Sequence, residues 1–173
     1  MNELSLFSGA GGGILATKYI LGFKTIGYVE FEEDCQKTLA QRIKDGLIDE
    51  APIFTDIETF ISEGYAKSYK GMVDVITAGF PCQPFSVAGK QLAENDPRNK
   101  WPETRACIGI IRPRFAYLEN VPGLLSKPYI RRIFGDLAEI GYDARWQTIS
   151  AQETGHCHKR DRAWIVAHSN TMR

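Results

Sequence analysis

Asp74-Val75-Ile76-Thr77-Ala78-Gly79-Phe80 is apolar almost throughout. A strand of this composition has no face to turn to water, so it belongs inside a parallel sheet covered on both sides. The rest of the chain alternates short β-like runs with helical ones. Leu4 to Phe7 reads as a strand that runs into Ser8-Gly9-Ala10-Gly11-Gly12-Gly13. A helix is expected over about Ile14 to Leu21, with Gly22 as its C-terminal cap. Thr25 to Glu30 reads as the next strand. Cys35, Leu39 and Ile43 recur at i, i+4, i+8 and mark a second helix, ended by Gly46. Phe115 to Glu119, Arg145 to Ile149 and Ala163 to Ala167 read as further strands. Pro102 suits the first turn of a helix whose apolar face carries Ile108 and Ile111. Ser126, before Pro128, is expected to start a later helix with Ile130, Ile133, Phe134, Leu137 and Ile140 on one stripe and Gly141 closing it. Strands alternating with helices imply an α/β fold, a mostly parallel sheet with helices on both faces. The 173 residues carry no internal repeat and no clear boundary, so residues 1–173 read as a single domain.

Charge narrows the function. The chain has 21 basic and 21 acidic residues, a formal charge of zero. A self-sufficient DNA binder shows a basic excess, so any nucleic-acid surface here is local or supplied by something else. No apolar stretch is long enough to cross a bilayer, and the N-terminus lacks a signal-peptide pattern. Cys35, Cys82, Cys107 and Cys157 form no CxxC pair, which reads as reduced thiols in a cytoplasm.

The chemistry collects where the strands end. In open parallel sheets the ligand crevice lies at the carboxyl ends of the strands. Phe7-Ser8-Gly9-Ala10-Gly11-Gly12 sits between strand and helix, where bare backbone can approach a nucleotide-like ligand. The same glycines would also serve a tight βα turn. Glu30 ends the second strand about 20 residues later, the place where such folds bind ribose hydroxyls; a solvated strand end fits equally well. Asp56-Ile57 before the next helix is either a helix N-cap or an adenine contact. Pro81-Cys82-Gln83-Pro84-Phe85-Ser86 follows the apolar strand. Two prolines hold one thiol stiffly, which suits a covalent nucleophile. Cys35 and Cys107 fall on helical stretches and read as small core residues. Glu119-Asn120-Val121 ends its strand at the same edge, where a carboxyl beside a nucleophile can act as acid or base, or can cap a nearby amide. Arg160 and Arg162 share a face of an extended segment and form either a solvated charge run or a pair for phosphate or a base carbonyl. His156-Cys157-His158 is too tightly spaced for a structural zinc site, and no metal is expected. Val87 to Lys100 is polar and reads as a mobile loop beside the cysteine.

Together these motifs resemble the C5-cytosine DNA methyltransferase family, in the family's order and over nearly the whole chain. Leu6-Phe7-Ser8-Gly9-Ala10-Gly11-Gly12 is similar to its cofactor motif, and Gly79-Phe80-Pro81-Cys82-Gln83-Pro84-Phe85-Ser86 to its catalytic loop. Asp96-Pro97-Arg98 resembles a motif inside the mobile loop, Glu119-Asn120-Val121 the glutamate motif, and His158-Lys159-Arg160-Asp161-Arg162 the Q-x-R-x-R motif with His in the Gln position. The resemblance implies a Rossmann-like fold that uses S-adenosylmethionine, and a double-stranded DNA substrate. It implies cofactor contacts at Phe7, Ser8, Gly9, Gly11, Gly12, Glu30, Phe31, Asp56, Ile57 and Pro81. It also implies Cys82 as nucleophile at C6 of a flipped cytosine, Glu119 at N3, and Arg162 with Arg160 holding the base carbonyl and the glutamate. Relatives of the family methylate transfer RNA, a substrate ranked behind DNA. Complete members continue into a target-recognition region and a last segment that packs on the first strands. The chain therefore reads as C-terminally truncated: one subunit of a split enzyme, a fragment, or a shortened protein that binds cofactor or a partner without methylating.

Overall fold

A computed structural model describes residues 1–81, 99–125 and 128–170. Among these residues seven strands form one sheet: β1 (Asn2–Leu6), β2 (Lys24–Val29), β3 (Ile53–Phe54), β4 (Val75–Ala78), β5 (Phe115–Asn120), β6 (Tyr142–Ser150) and β7 (Asp161–Ser169). Their order is β3-β2-β1-β4-β5-β7-β6. The first five are parallel, and β7 runs antiparallel between β5 and β6. The mostly parallel sheet is thus as expected, while the antiparallel end and the two-residue β3 were not foreseen.

Among the described residues six α-helices connect the strands: α1 (Gly12–Leu21), α2 (Glu33–Lys44), α3 (Ile57–Ser62), α4 (Tyr65–Ser68), α5 (Trp101–Ile111) and α6 (Tyr129–Glu139). Local chemistry sets their ends. Gly22 closes α1 in the left-handed conformation, its N–H donating to the Lys18 carbonyl while the Phe23 N–H reaches that of Thr17. Glu33 and Asp34 open α2, and Arg42 and Lys44 close it, matching the helix dipole at both ends. Pro102 sits in the first turn of α5, as expected. The α6 stripe also falls as expected: Ile133 and Leu137 are buried, with Ile130, Phe134 and Ile140 packed against the core. The helix begins at Tyr129, three residues after Ser126, which lies outside the described residues.

The strand pleat divides the sheet into two unequal sides. Leu4, Leu6, Ile76, Ala78, Ala116, Leu118, Ile165 and Ala167 face the main core, which α3, α4, α5 and α6 cover. On the other side Ile14 and Leu39 carry α1 and α2 onto Tyr28 and Ile48 in a smaller cluster. Residues of β5 and β7 on that side, Tyr117, Glu119 and Trp164, instead line an open cleft of about 670 Å³ beside α1.

Candidate active site at the carboxyl edge of the sheet

The glycine loop leaves β1 through Phe7, whose φ of 53° is left-handed, a costly conformation for a side chain of that size. Such strain concentrates at functional sites. Ser8 then anchors the turn. Its N–H donates to the Val29 carbonyl at 3.1 Å, and its hydroxyl lies 3.0 Å from both the Ser5 carbonyl and the Ser5 hydroxyl. Gly11 has φ 84°, and a Cβ there would meet Leu39 at 3.1 Å, so it is glycine for both conformation and space. At Gly9, Gly12 and Gly13 a Cβ would meet nothing within 4 Å, leaving open space beside bare backbone.

Glu30 is buried, at 6% exposure, so it is not a solvated strand end. Its Oε2 accepts the Gly9 N–H at 2.6 Å and its Oε1 accepts the Glu32 N–H at 2.8 Å. One carboxylate therefore ties the glycine loop to the start of α2. Phe31 beside it is 72% exposed, a free aromatic face at the same edge. Asp56 is the N-cap of α3, its Oδ2 accepting from the Thr59 N–H at 2.8 Å and from the Thr59 hydroxyl at 2.9 Å. Partial burial pushes its carboxyl up, but the Thr59 and Glu58 donors and the Lys100 charge outweigh this and hold it below the usual range. Ile57 is buried in the core.

Glu119 and Arg162 meet across β5 and β7. Arg162 Nε donates to Glu119 Oε1 at 2.9 Å; both side chains are partly exposed, and Glu119 lines the cleft. Gly79 sits beneath them: a Cβ there would lie 3.6 Å from Glu119 Oε2. Arg160 is exposed ahead of β7, and it is Arg162 that reaches Glu119. His156 and His158 have ring centroids 5.6 Å apart on the exposed loop before them. Among the described residues no group of three or more His, Cys, Asp or Glu could hold a metal ion.

Cys82, Gln83 through Ser86, and Asp96-Pro97-Arg98 lie outside the described residues. What surrounds them is described. Phe80 is buried against Trp101, with ring centroids 5.7 Å apart. Asn120 donates from Nδ2 to the Phe80 carbonyl at 3.2 Å and accepts the Val121 N–H at 2.9 Å. Asn120 thus fixes the backbone just ahead of Pro81. The sequence reading quoted it beside Glu119 without a role; its buried position two residues after Leu118 on the same core-facing side was the available signal. A second residue missed was Glu3. It is wholly buried, and its carboxylate accepts from the hydroxyls of Thr17, Thr25 and Thr77, tying α1, β2 and β4 to β1.

This Rossmann-like α/β sheet, with a glycine loop, an acid after β2 and a carboxyl–guanidinium pair at its carboxyl edge, has the fold of two solved methyltransferases. DNMT2 of Spodoptera frugiperda is 23% identical with a TM-score of 0.76, covering 99% of this chain and 50% of that one. The methyltransferase EhMeth of Entamoeba histolytica is 19% identical with a TM-score of 0.71, covering 97% and 52%. Within that fold class the chain belongs to the C-5 cytosine-specific DNA methylase family, whose sequence profile matches residues 1–173. Among characterised relatives, the type II methyltransferase M.NgoMIV of Neisseria gonorrhoeae is 33% identical over 97% of this chain and 52% of its own length. M.AplI of Arthrospira platensis is 34% identical over 95% of this chain and 45% of its own. The chain spans about half the length of these relatives.

Proposed function

We propose that this chain forms the cofactor-binding and catalytic part of a DNA (cytosine-5)-methyltransferase of the restriction–modification type, working in the cytoplasm. The Glu119–Arg162 pair carries the reading. It stands on the cleft edge where β4 delivers the chain to Cys82, and family membership supplies the cysteine's expected role.

The residues present fit S-adenosylmethionine. Bare backbone at Gly9 and Gly12 with open space beside it, a buried carboxylate at Glu30 and an exposed aromatic at Phe31 suit a nucleoside with a charged tail. A carboxylate has about four acceptor sites. Glu30 can therefore take ribose hydroxyls while keeping both of its backbone bonds. Phe7, Ser8, Gly11, Asp56, Ile57 and Pro81 would complete the contacts. When bound, this cofactor supplies the methyl group as an electrophile.

The protein's own groups then divide the work. A cytosine stacked in a duplex is out of reach, so it is flipped into the cleft. The Cys82 thiolate adds to C6, and Glu119 donates a hydrogen bond or proton to N3, which leaves C5 electron-rich. Arg162 holds Glu119 in place and, with Arg160, offers positive charge to the base carbonyl. Once C5 carries the methyl group, a water molecule takes the C5 proton, the C5–H electron pair re-forms the C5=C6 double bond, and Cys82 leaves as thiolate.

The open cleft supports a second component of the reading, a further segment or second chain that completes the enzyme. Tyr19, Ile20 and Leu21 of α1 are 61%, 79% and 52% exposed, and Trp164 and Val166 of β7 are each 41% exposed on the same side. Apolar surface of this kind marks an interaction site. Such a segment or chain would add the basic DNA-facing surface that the formally neutral residues 1–173 do not carry in excess. Methyl transfer measured side by side on duplex DNA and transfer RNA, with and without candidate partner chains, tests the proposal. Transfer to DNA cytosine is expected. Transfer to transfer RNA alone would move the chain to the RNA-modifying relatives, and an assembly that binds cofactor and DNA without transferring would favour a purely binding role.

A further inference from the structure

Lys100 is the N-cap residue of α5, two residues beyond segment 82–98. Its ammonium contacts Glu58 Oε1 in the first turn of α3 and lies 3.6 Å from Glu103 Oε1 in its own first turn. Glu58 is only two residues past Asp56, whose carboxyl also feels the Lys100 charge. One ammonium thus pairs with two carboxylates, on α3 and on α5. The Lys100 side chain is 22% exposed, against 65% for Lys37, which makes ordinary i,i+3 and i,i+4 pairs on α2. Glu58 itself is 62% exposed, so the shielded side of the bridge is the one facing Glu103, whose side chain is 23% exposed. The second oxygen of Glu103 is buried and has no hydrogen-bond partner among the described residues, so without Lys100 its charge would stand uncompensated. α3 has six residues, too short to hold its own position without its neighbours.

We propose that Lys100 is a positioning residue for the adenine end of the cofactor: it pins the Asp56–Ile57 turn to the chain that returns from the Cys82 segment. This rests on the reading that Asp56 and Ile57 meet the adenine. Because the bridge joins the strand-end turn to the start of α5, its loss loosens the adenine contacts first and leaves the glycine loop and Glu30 as they are.

Calorimetry with S-adenosylhomocysteine and with 5′-methylthioadenosine, which lacks the amino-acid end, tests it together with hydrogen exchange over α3. Lys100→Met should weaken both ligands by the same factor, on the order of fivefold or more. The amides of α3 should exchange faster, and Lys100→Arg should restore most of the affinity. Unchanged affinity in Lys100→Met, a loss confined to S-adenosylhomocysteine, or an Arg variant as weak as the Met variant would each overturn the proposal. If the unmodified chain binds neither ligand, the cofactor reading itself fails, and α3 exchange still decides whether Lys100 holds the turn.

Discussion

The two oxygens of Glu30 are both committed to backbone, and the bond to Gly9, at 2.6 Å, locks the glycine loop to the end of β2. The expected ribose ligand is therefore also the brace of the loop that would cradle the rest of the cofactor. Sequence spacing placed Glu30 at the right edge but could not show this second duty, because the partner is a backbone N–H that carries no sequence signature.

Glu30→Gln should consequently be nearly as harmful as Glu30→Ala. An amide offers one acceptor oxygen, so its NH2 group must face either the Gly9 or the Glu32 N–H. Each variant should bind S-adenosylhomocysteine at least about tenfold more weakly and lose about 1–3 kcal/mol of stability, the cost of a buried unsatisfied donor. Calorimetry and chemical denaturation check this; a Gln variant with native affinity and stability would contradict the brace.

Arg162→Lys should retain folding and cofactor binding yet slow transfer by up to about a hundredfold. Lysine keeps the charge but cannot present the guanidinium Nε that donates to Glu119 Oε1 at 2.9 Å. Steady-state kinetics should place the loss in kcat, with the cofactor KM little changed.

Asp56 makes a pH-dependent contribution. Its folded pKa lies below its ordinary value, so its stabilisation is present above the unfolded value, about 3.9, and is lost as pH falls through the folded value. Asp56→Ala should cost about 1 kcal/mol at neutral pH, as removal of an N-cap does. The difference between the two proteins should narrow below about pH 4. Denaturant melts of both at several pH values would show it.

The cysteines should separate by reactivity. Burial pushes the Cys107 thiol up to about 12, with the nearby Glu103 charge adding to it, so it should resist alkylation until the protein unfolds. Cys157 is exposed and should label in the native state. Peptide mapping after iodoacetamide treatment at pH 8 distinguishes them.

The fold was legible wherever the apolar pattern was long. Val75 to Ala78 and the stripe through Ile133 and Leu137 were both visible as periodicity, because burial on a sheet or helix face leaves that mark. β3 was not, since two residues carry no period. The direction of β7 was not either: an antiparallel partner and a parallel one bury the same Ala163, Ile165 and Ala167. At the site, residues that act through side chains in recognisable motifs, Glu119 and Arg162 among them, stood out in the sequence. Residues that act by holding something else in place did not. Asn120 supports the Phe80 carbonyl, Glu3 gathers three threonine hydroxyls, and Lys100 reaches 42 residues back to Glu58; such partners are set by tertiary packing alone.

The central claim is that Cys82 at C6 and the Glu119–Arg162 pair at N3 direct methylation to C5 of cytosine. The most direct measurement supplies labelled S-adenosylmethionine and duplex DNA to the protein, alone and with each candidate partner chain, then digests the DNA to nucleosides. The account predicts label in 5-methylcytosine only, abolished by roughly a thousandfold or more in Cys82→Ser, with S-adenosylhomocysteine affinity kept. Label in N4-methylcytosine or N6-methyladenine, or a Cys82→Ser protein that still transfers, would contradict it.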